Sequence, residues 1–175
     1  MADCAAPNTT IRDSRFPLRL MRPAGRRAAL AILLLAAAAC GGAPELELAD
    51  GSATSWQELQ GQWLVINYWA EWCAPCRKEI PELNELHAHG ADAGVMVLGV
   101  NFDGLRGESL TTLMAEMGVE FPVLVEDPGQ RWDQPPPSVL PSTLVIDPHG
   151  KLHDVLVGPQ TYEDLARAVE LSSEV

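Results

Sequence analysis

Past residue 45 the apolar positions come in short bursts, at strand spacing in some places and helix spacing in others. Leu46–Trp56 (LELADGSATSW) alternates around Asp50-Gly51 and predicts a β-hairpin. Trp63–Trp69 (WLVINYW) and Val95–Phe102 (VMVLGVNF) are dense, β-rich runs that predict two buried strands. Between them a helix is predicted from about Cys73 to His89, with Ile80, Leu83, Glu85 and Leu86 forming a mixed face. Pro81 predicts a kink or a restart in it, and Gly90 and Gly94 its end. Gly107–Gly118 (GESLTTLMAEMG) predicts a second helix with Leu110, Leu113, Met114 and Met117 on one side. A short strand, Phe121–Asp127, and a proline-rich loop, Pro128–Pro141, come next. Ser142–Gly158 predicts a hairpin turning at Asp147–Gly150, and Thr161–Ser172 a final amphipathic helix with Thr161 as N-cap. Strands joined by helices and closed by an antiparallel hairpin predict an α/β sandwich with a mixed sheet.

The first part of the chain has a different pattern. From Met21, a basic stretch (Arg22, Arg26, Arg27) precedes twelve apolar residues, Ala28–Ala39, and then Cys40-Gly41-Gly42. The run is too short to span a bilayer and fits a secretory signal segment covering residues 1–39, with Met1 and Met21 as alternative starts. The ending resembles a bacterial lipoprotein signal, in which Cys40 carries the lipid and 40–45 form a tether; Ala37 departs from the usual Leu. Two acyl chains hold a domain firmly on a membrane, and the compartment implied is the bacterial periplasm or outer surface, where disulfide chemistry is routine. Cys4 precedes Met21 and is expected to take no part in the fold. With 175 residues, 47% of them hydrophobic, the chain has enough apolar material for one cored domain, placed at 46–175. Its formal charge of −12 divides into +4 over residues 1–40 and −16 over 41–175. So acidic a domain repels nucleic acid and anionic headgroups, which argues against a nucleic-acid partner.

The chemistry concentrates in Tyr68–Leu83 (YWAEWCAPCRKEIPEL). Cys73 falls where a strand hands over to a helix, so its thiol meets unpaired N–H groups and the positive end of the helix dipole, which favour a thiolate. Cys76 lies one turn further along the same face and is placed to attack a disulfide formed at Cys73. Pro75 starts the helix, and Arg77 and Lys78 add positive charge. Zinc needs four ligands; four histidines are available, His87, His89, His149 and His153, and there is no second C-x-x-C, so no metal is expected. A purely structural bridge across so short a loop gains little chain entropy, and Trp72 and Pro75 suggest an exposed turn rather than an inert buried pair.

Val65–Leu83 (VINYWAEWCAPCRKEIPEL) resembles the active-site stretch of the thioredoxin superfamily. Together with Leu98–Gly104 (LGVNFDG), it is similar to the membrane-anchored thiol–disulfide oxidoreductases of TlpA/ResA type, over about Leu46–Leu171. The resemblance implies a thioredoxin-like three-layer sandwich with a mixed sheet, an N-terminal hairpin and an inserted helix and strand before a cis-proline segment. Val139–Asp147 (VLPSTLVID) stands at that segment, which implies a cis Leu140-Pro141 bond packed against the cysteines and a neighbouring backbone that pairs with an extended client. Thioredoxins proper carry a buried Asp where this chain has Asn67, which does not titrate. Glu79 stands where the TlpA/ResA type has an acidic residue near the active site. It is read either as the base that deprotonates Cys76 or as a solvated helix residue. Glu71 is read as a surface charge. Trp132, in an unusually aromatic and proline-rich loop, either covers the cysteines or fills a core gap.

The expectation is a periplasmic, lipid-anchored enzyme that reduces protein disulfides through Cys73 and Cys76, with Trp72, Pro75, Glu79, Leu140 and Pro141 in support. It needs no cofactor beyond the cysteine pair and is itself reduced by a membrane electron donor; cytochrome c maturation and periplasmic thiol homeostasis are the settings the resemblance offers. An oxidase running the same steps backwards, a non-catalytic binding module and a Cu(I) or haem carrier are the alternatives. The peroxidatic P-x-x-x-T-x-x-C pattern is absent.

Overall fold

The structure is a computed structural model, and it describes residues 46–171. The readings placed on Cys4, the signal segment, Cys40 and the tether lie outside the described residues.

A short antiparallel hairpin pairs β1 (Leu46–Glu47) with β2 (Ala53–Thr54). The main sheet contains β3 (Trp63–Trp69), β4 (Val95–Asn101), β5 (Val123–Leu124), β6 (Ser142–Ile146) and β7 (Leu152–Val157), in the order β5-β4-β3-β6-β7. β3, β4 and β5 are parallel, while β6 and β7 run antiparallel to their neighbours, so the sheet is mixed as expected. β3 sits in the middle and is buried along almost its whole length, which is why its sequence reads as a continuous apolar run. The strand expected over 121–127 is cut to two residues: Pro122 cannot donate to a ladder at its start, and past Leu124 the Val125 N–H turns to the Glu47 carbonyl of the hairpin at 3.0 Å. The hairpin is joined to that edge by an isolated bridge, Leu48 to Leu124, and by the Ala49 N–H to the Val123 carbonyl at 2.8 Å.

Three α-helices are described: α1 (Ala74–Gly90), α2 (Gly107–Met117) and α3 (Tyr162–Ala168). α1 runs through Pro81 without the restart that proline suggested. Pro81 lies on the exposed side, where the carbonyl it leaves unpaired is open to water. A 3-10 turn over Ala91–Ala93 then ends at Gly94, whose φ of 75° is left-handed and suits glycine. α3 opens with a capping box between Thr161 and Asp164 and stops at Ala168, short of the expected 172.

Alternation along β3 sorts its side chains. Val65, Asn67 and Trp69 point one way; Leu64, Ile66 and Tyr68 point the other. The first face meets Ile80, Leu83 and Leu86 of α1, Leu110 and Leu113 of α2, and Leu165 of α3. The second is covered by Leu46, Leu59, Trp56 and Trp132. Among the described residues the third layer is thus built by the hairpin, a turn and a 3-10 turn (Gly129–Trp132) rather than by α-helix.

Candidate active site

β3 ends at Trp69, Ala70–Trp72 turn, and Cys73 becomes the N-cap of α1 with extended backbone (φ −83°, ψ 93°). The Cys76 N–H donates to Cys73 Sγ at 3.2 Å, so a first-turn amide of the helix already points at this sulfur. No acidic residue occupies the first turn to oppose a negative charge there. Pro75 stands within the first two helical positions, where its missing N–H costs nothing. Cys73 and Cys76 are joined by a disulfide, with Cα atoms 5.3 Å apart. Arg77, which is exposed, donates to the Glu71 carbonyl and ties the turn to the helix.

The exposed turn inferred from Trp72 and Pro75 is correct for Trp72, Glu71 and Ala74, holds in part for the half-buried Pro75, and fails for the sulfurs. Trp72 is 64% exposed, whereas Cys73 is 3% and Cys76 1% exposed in this oxidised state. The side chains around them close over the bridge, because Cys73 and Cys76 belong to the core cluster on the helical face of the sheet. Trp72 stands against Phe102 edge to face, and its Nε1 donates to both Asp103 carboxylate oxygens at 3.1 Å. Both rings are exposed, so they form an apolar shelf that begins one residue before Cys73 in the chain.

The Leu140-Pro141 bond is cis, and Leu140 packs against the cluster that holds the two cysteines. Ser142 follows, opposite Tyr68 in the sheet, with its Oγ donating to the Val139 carbonyl at 2.7 Å. The loop leading there is anchored by Asp127, which accepts the Tyr68 hydroxyl at 2.6 Å and the Gly129 N–H at 2.8 Å. Burial first, and then the Asp127 hydrogen bond and charge, push the Tyr68 phenol well above its usual value. Sequence reasoning passed over this pair because 59 residues separate its members.

Glu79 is not a solvated helix residue: it is 1% exposed, one turn beyond Cys76 on α1. Asn67 Nδ2 donates to Glu79 Oε2 at 2.8 Å and to Thr143 Oγ1 at 2.9 Å, and the Gln160 N–H donates to Glu79 Oε1 at 3.0 Å. Burial raises the Glu79 carboxyl to about 7, against the lowering effect of the Gln160 and Asn67 hydrogen bonds. Thr143 and Gln160 gave no sequence signal, because only the β3–β6 register and the end of β7 bring them to this carboxyl. Trp132 does not cover the cysteines. It meets Trp56 edge to face on the opposite side of the sheet, its Nε1 donating to the Gly150 carbonyl, so it fills a core gap.

A cysteine pair at a strand-to-helix junction, with a cis-proline loop beside it, defines a class: thioredoxin-fold thiol–disulfide oxidoreductases. The chain belongs to the AhpC/TSA family, whose model matches residues 41–155. It is 34% identical over 116 residues to the thiol-disulfide oxidoreductase ResA of Bacillus subtilis, a match covering 66% of this chain and 64% of that protein. The chain thus spans a little under two thirds of that relative. Against the ResA of Geobacillus kaustophilus it is 31% identical over 130 residues, 73% of this chain and 74% of the relative. Among solved structures it is similar to a thiol:disulfide interchange protein of the thioredoxin family from Chlorobium tepidum. That likeness has a TM-score of 0.62 at 25% identity and covers 75% of this chain and 97% of the other.

Proposed function

We propose that this protein reduces disulfides in client proteins outside the bacterial cytoplasm, held to a membrane by a lipid on Cys40. The observation that carries the chemistry is the Cys73–Cys76 bridge at the tip of α1, with the buried Glu79 carboxyl one turn beyond. In the reduced protein, the Cys73 thiolate attacks one sulfur of a client disulfide. The other client sulfur leaves as a thiolate and takes a proton from solvent. Glu79 then removes the Cys76 proton, and the Cys76 thiolate attacks Cys73 Sγ, forming the Cys73–Cys76 bond and expelling the second client thiolate, which is protonated in turn. The client gains two electrons and two protons, and the enzyme is left oxidised. A membrane dithiol donor returns it to the reduced state, and no cofactor beyond the cysteine pair is needed. The ResA names of its relatives and the Cys40 signal support this reading. The cis Leu140-Pro141 segment and the Trp72–Phe102 shelf are the surfaces for an extended client backbone and its apolar side chains.

A Cys76→Ser variant of the full chain tests it. It is expected to accumulate mixed disulfides with clients through Cys73, while Cys73→Ser accumulates none. The measured reduction potential sets the direction. A value at or below about −250 mV, on the scale where thioredoxin stands near −270 mV, fits a reductant. A value near about −120 mV makes the protein an oxidase instead.

A further inference from the structure

The geometry points to Asn67 as a positioning residue that serves both protonation states of Glu79, by turning its side-chain amide end over end. This rests on the reading of Glu79 as the acceptor of the Cys76 proton.

Asn67 is fully buried, as is Thr143, and Glu79 nearly so, so no bulk water adjusts to a change of charge here. In the conformation described, both Nδ2 hydrogens are used, one on Glu79 Oε2 and one on Thr143 Oγ1. Its Oδ1 is buried and has no hydrogen-bond partner among the described residues. That arrangement suits an ionised Glu79, since both carboxylate oxygens then accept a hydrogen bond. It fails once Glu79 holds a proton. Glu79 Oε1 faces the Gln160 backbone N–H, a donor that the chain path fixes, so the proton goes to Oε2. There an O–H confronts an N–H, two donors with no acceptor between them.

Rotation of the Asn67 amide by half a turn resolves the conflict. Oδ1 then accepts from the Glu79 hydroxyl and from the Thr143 hydroxyl, which serves equally as donor or acceptor. In the first state Oδ1 is left without a partner among the described residues, so no hydrogen bond to that atom locks the amide in its present orientation. An aspartate at 67 would repel the charged form, and an apolar residue would serve neither form.

The other groups near Glu79 do not supply this function. On α1, Cys76 lies one turn back. Glu82, one turn on, is engaged by the Tyr162 N–H at 2.9 Å. Lys78 beside it on α1 is exposed. β3 and β6 present neutral Asn67 and Thr143. From α3, Tyr162 stacks edge to face on His89, and Asp164 is held by Thr161 and Arg167.

The test is a pH titration of the full chain by NMR, following the Glu79 carboxyl carbon and the Asn67 side-chain NH2 together. The Asn67 signals are expected to move with the same midpoint as Glu79, and Glu79→Gln, which imitates the acid form, to hold them at their low-pH position at all pH values. Asn67→Leu removes a hydrogen bond to the carboxylate and is expected to raise the Glu79 midpoint by about one pH unit. Asn67 signals that stay still while Glu79 titrates, or an unchanged midpoint in Asn67→Leu, overturn the proposal. Should Asn67→Leu not fold, the titration of the unaltered protein decides alone. The Glu79 reading fails separately: it falls if Glu79→Gln releases clients at the native rate with the native pH profile, whatever the Asn67 signals do.

Discussion

Glu79 shows how much a residue's surroundings add to its identity. Read along the chain, it is one of four acidic residues within Glu71–Glu85. In the fold it is enclosed between β3, β6 and the start of α3, and its carboxyl titrates near 7 rather than at 4.5. An unfolded chain releases that proton near pH 4.5, so between 4.5 and 7 the folded state holds more protons than the unfolded one. The burial cost is therefore absent below pH 4.5, grows as pH rises through this window, and is complete above 7. Its full size is roughly 3 kcal/mol. Glu79→Gln is expected to stabilise the oxidised protein by up to that amount at pH 8 and to change little at pH 4, as read from urea unfolding at the two pH values. The cysteines contrast with it. The C-x-x-C spacing and the strand-to-helix handover were visible in the sequence, because both depend on residues close together in the chain. The burial of the two sulfurs was not visible, because side chains from across the fold close over them.

The long elements are the ones the sequence marked clearly. β3, β4, α1 and α2 lie within a residue or two of their expected bounds, since each carries a sustained apolar period. The short strand β5 and the end of α3 are where the expectation overshoots. Pro122 delays the start of the ladder in one case, and in the other Glu170 takes a left-handed φ of 53° that ends the helix. Gly99 in β4 shows what a strand interior demands of a single position. A Cβ there would stand 2.9 Å from the Phe121 ring, from Trp69 Nε1 and from Val123, all of them in the core. Gly99→Ala is therefore expected to cost about 1–3 kcal/mol and to lower the thermal midpoint of a chain whose cysteines stay oxidised. A thermal midpoint within a degree of the native one would show that the Phe121 side chain yields instead.

At the scale of the whole molecule the chain is strongly acidic. Residues 41–175 carry a formal −16, and Glu71 stands within two residues of Cys73. The net field of such a domain favours cationic disulfide peptides over anionic ones, over distances that salt shortens, although Arg77 and Lys78 oppose it locally. Interchange with a lysine-rich peptide disulfide is expected to slow severalfold between about 20 and 300 mM salt, and interchange with a glutamate-rich one to speed up. Stopped-flow tryptophan fluorescence measures both, and equal salt dependence for the two peptides would count against steering.

The sequence by itself determined the spacing of the cysteine pair, the order of the elements and the mixed sheet, because each depends on local spacing or on periodicity along one segment; the place of the cis-proline came only from the resemblance of Val139–Asp147 to a known family. The tertiary structure decided which residues surround that pair. It brought Asn67, Thr143 and Gln160 to one buried carboxyl, turned Trp132 to the far face, and closed the core over the sulfurs. Contacts of that kind are set by strand register and by which face of the sheet a side chain takes, and neither is written within any single stretch of the chain.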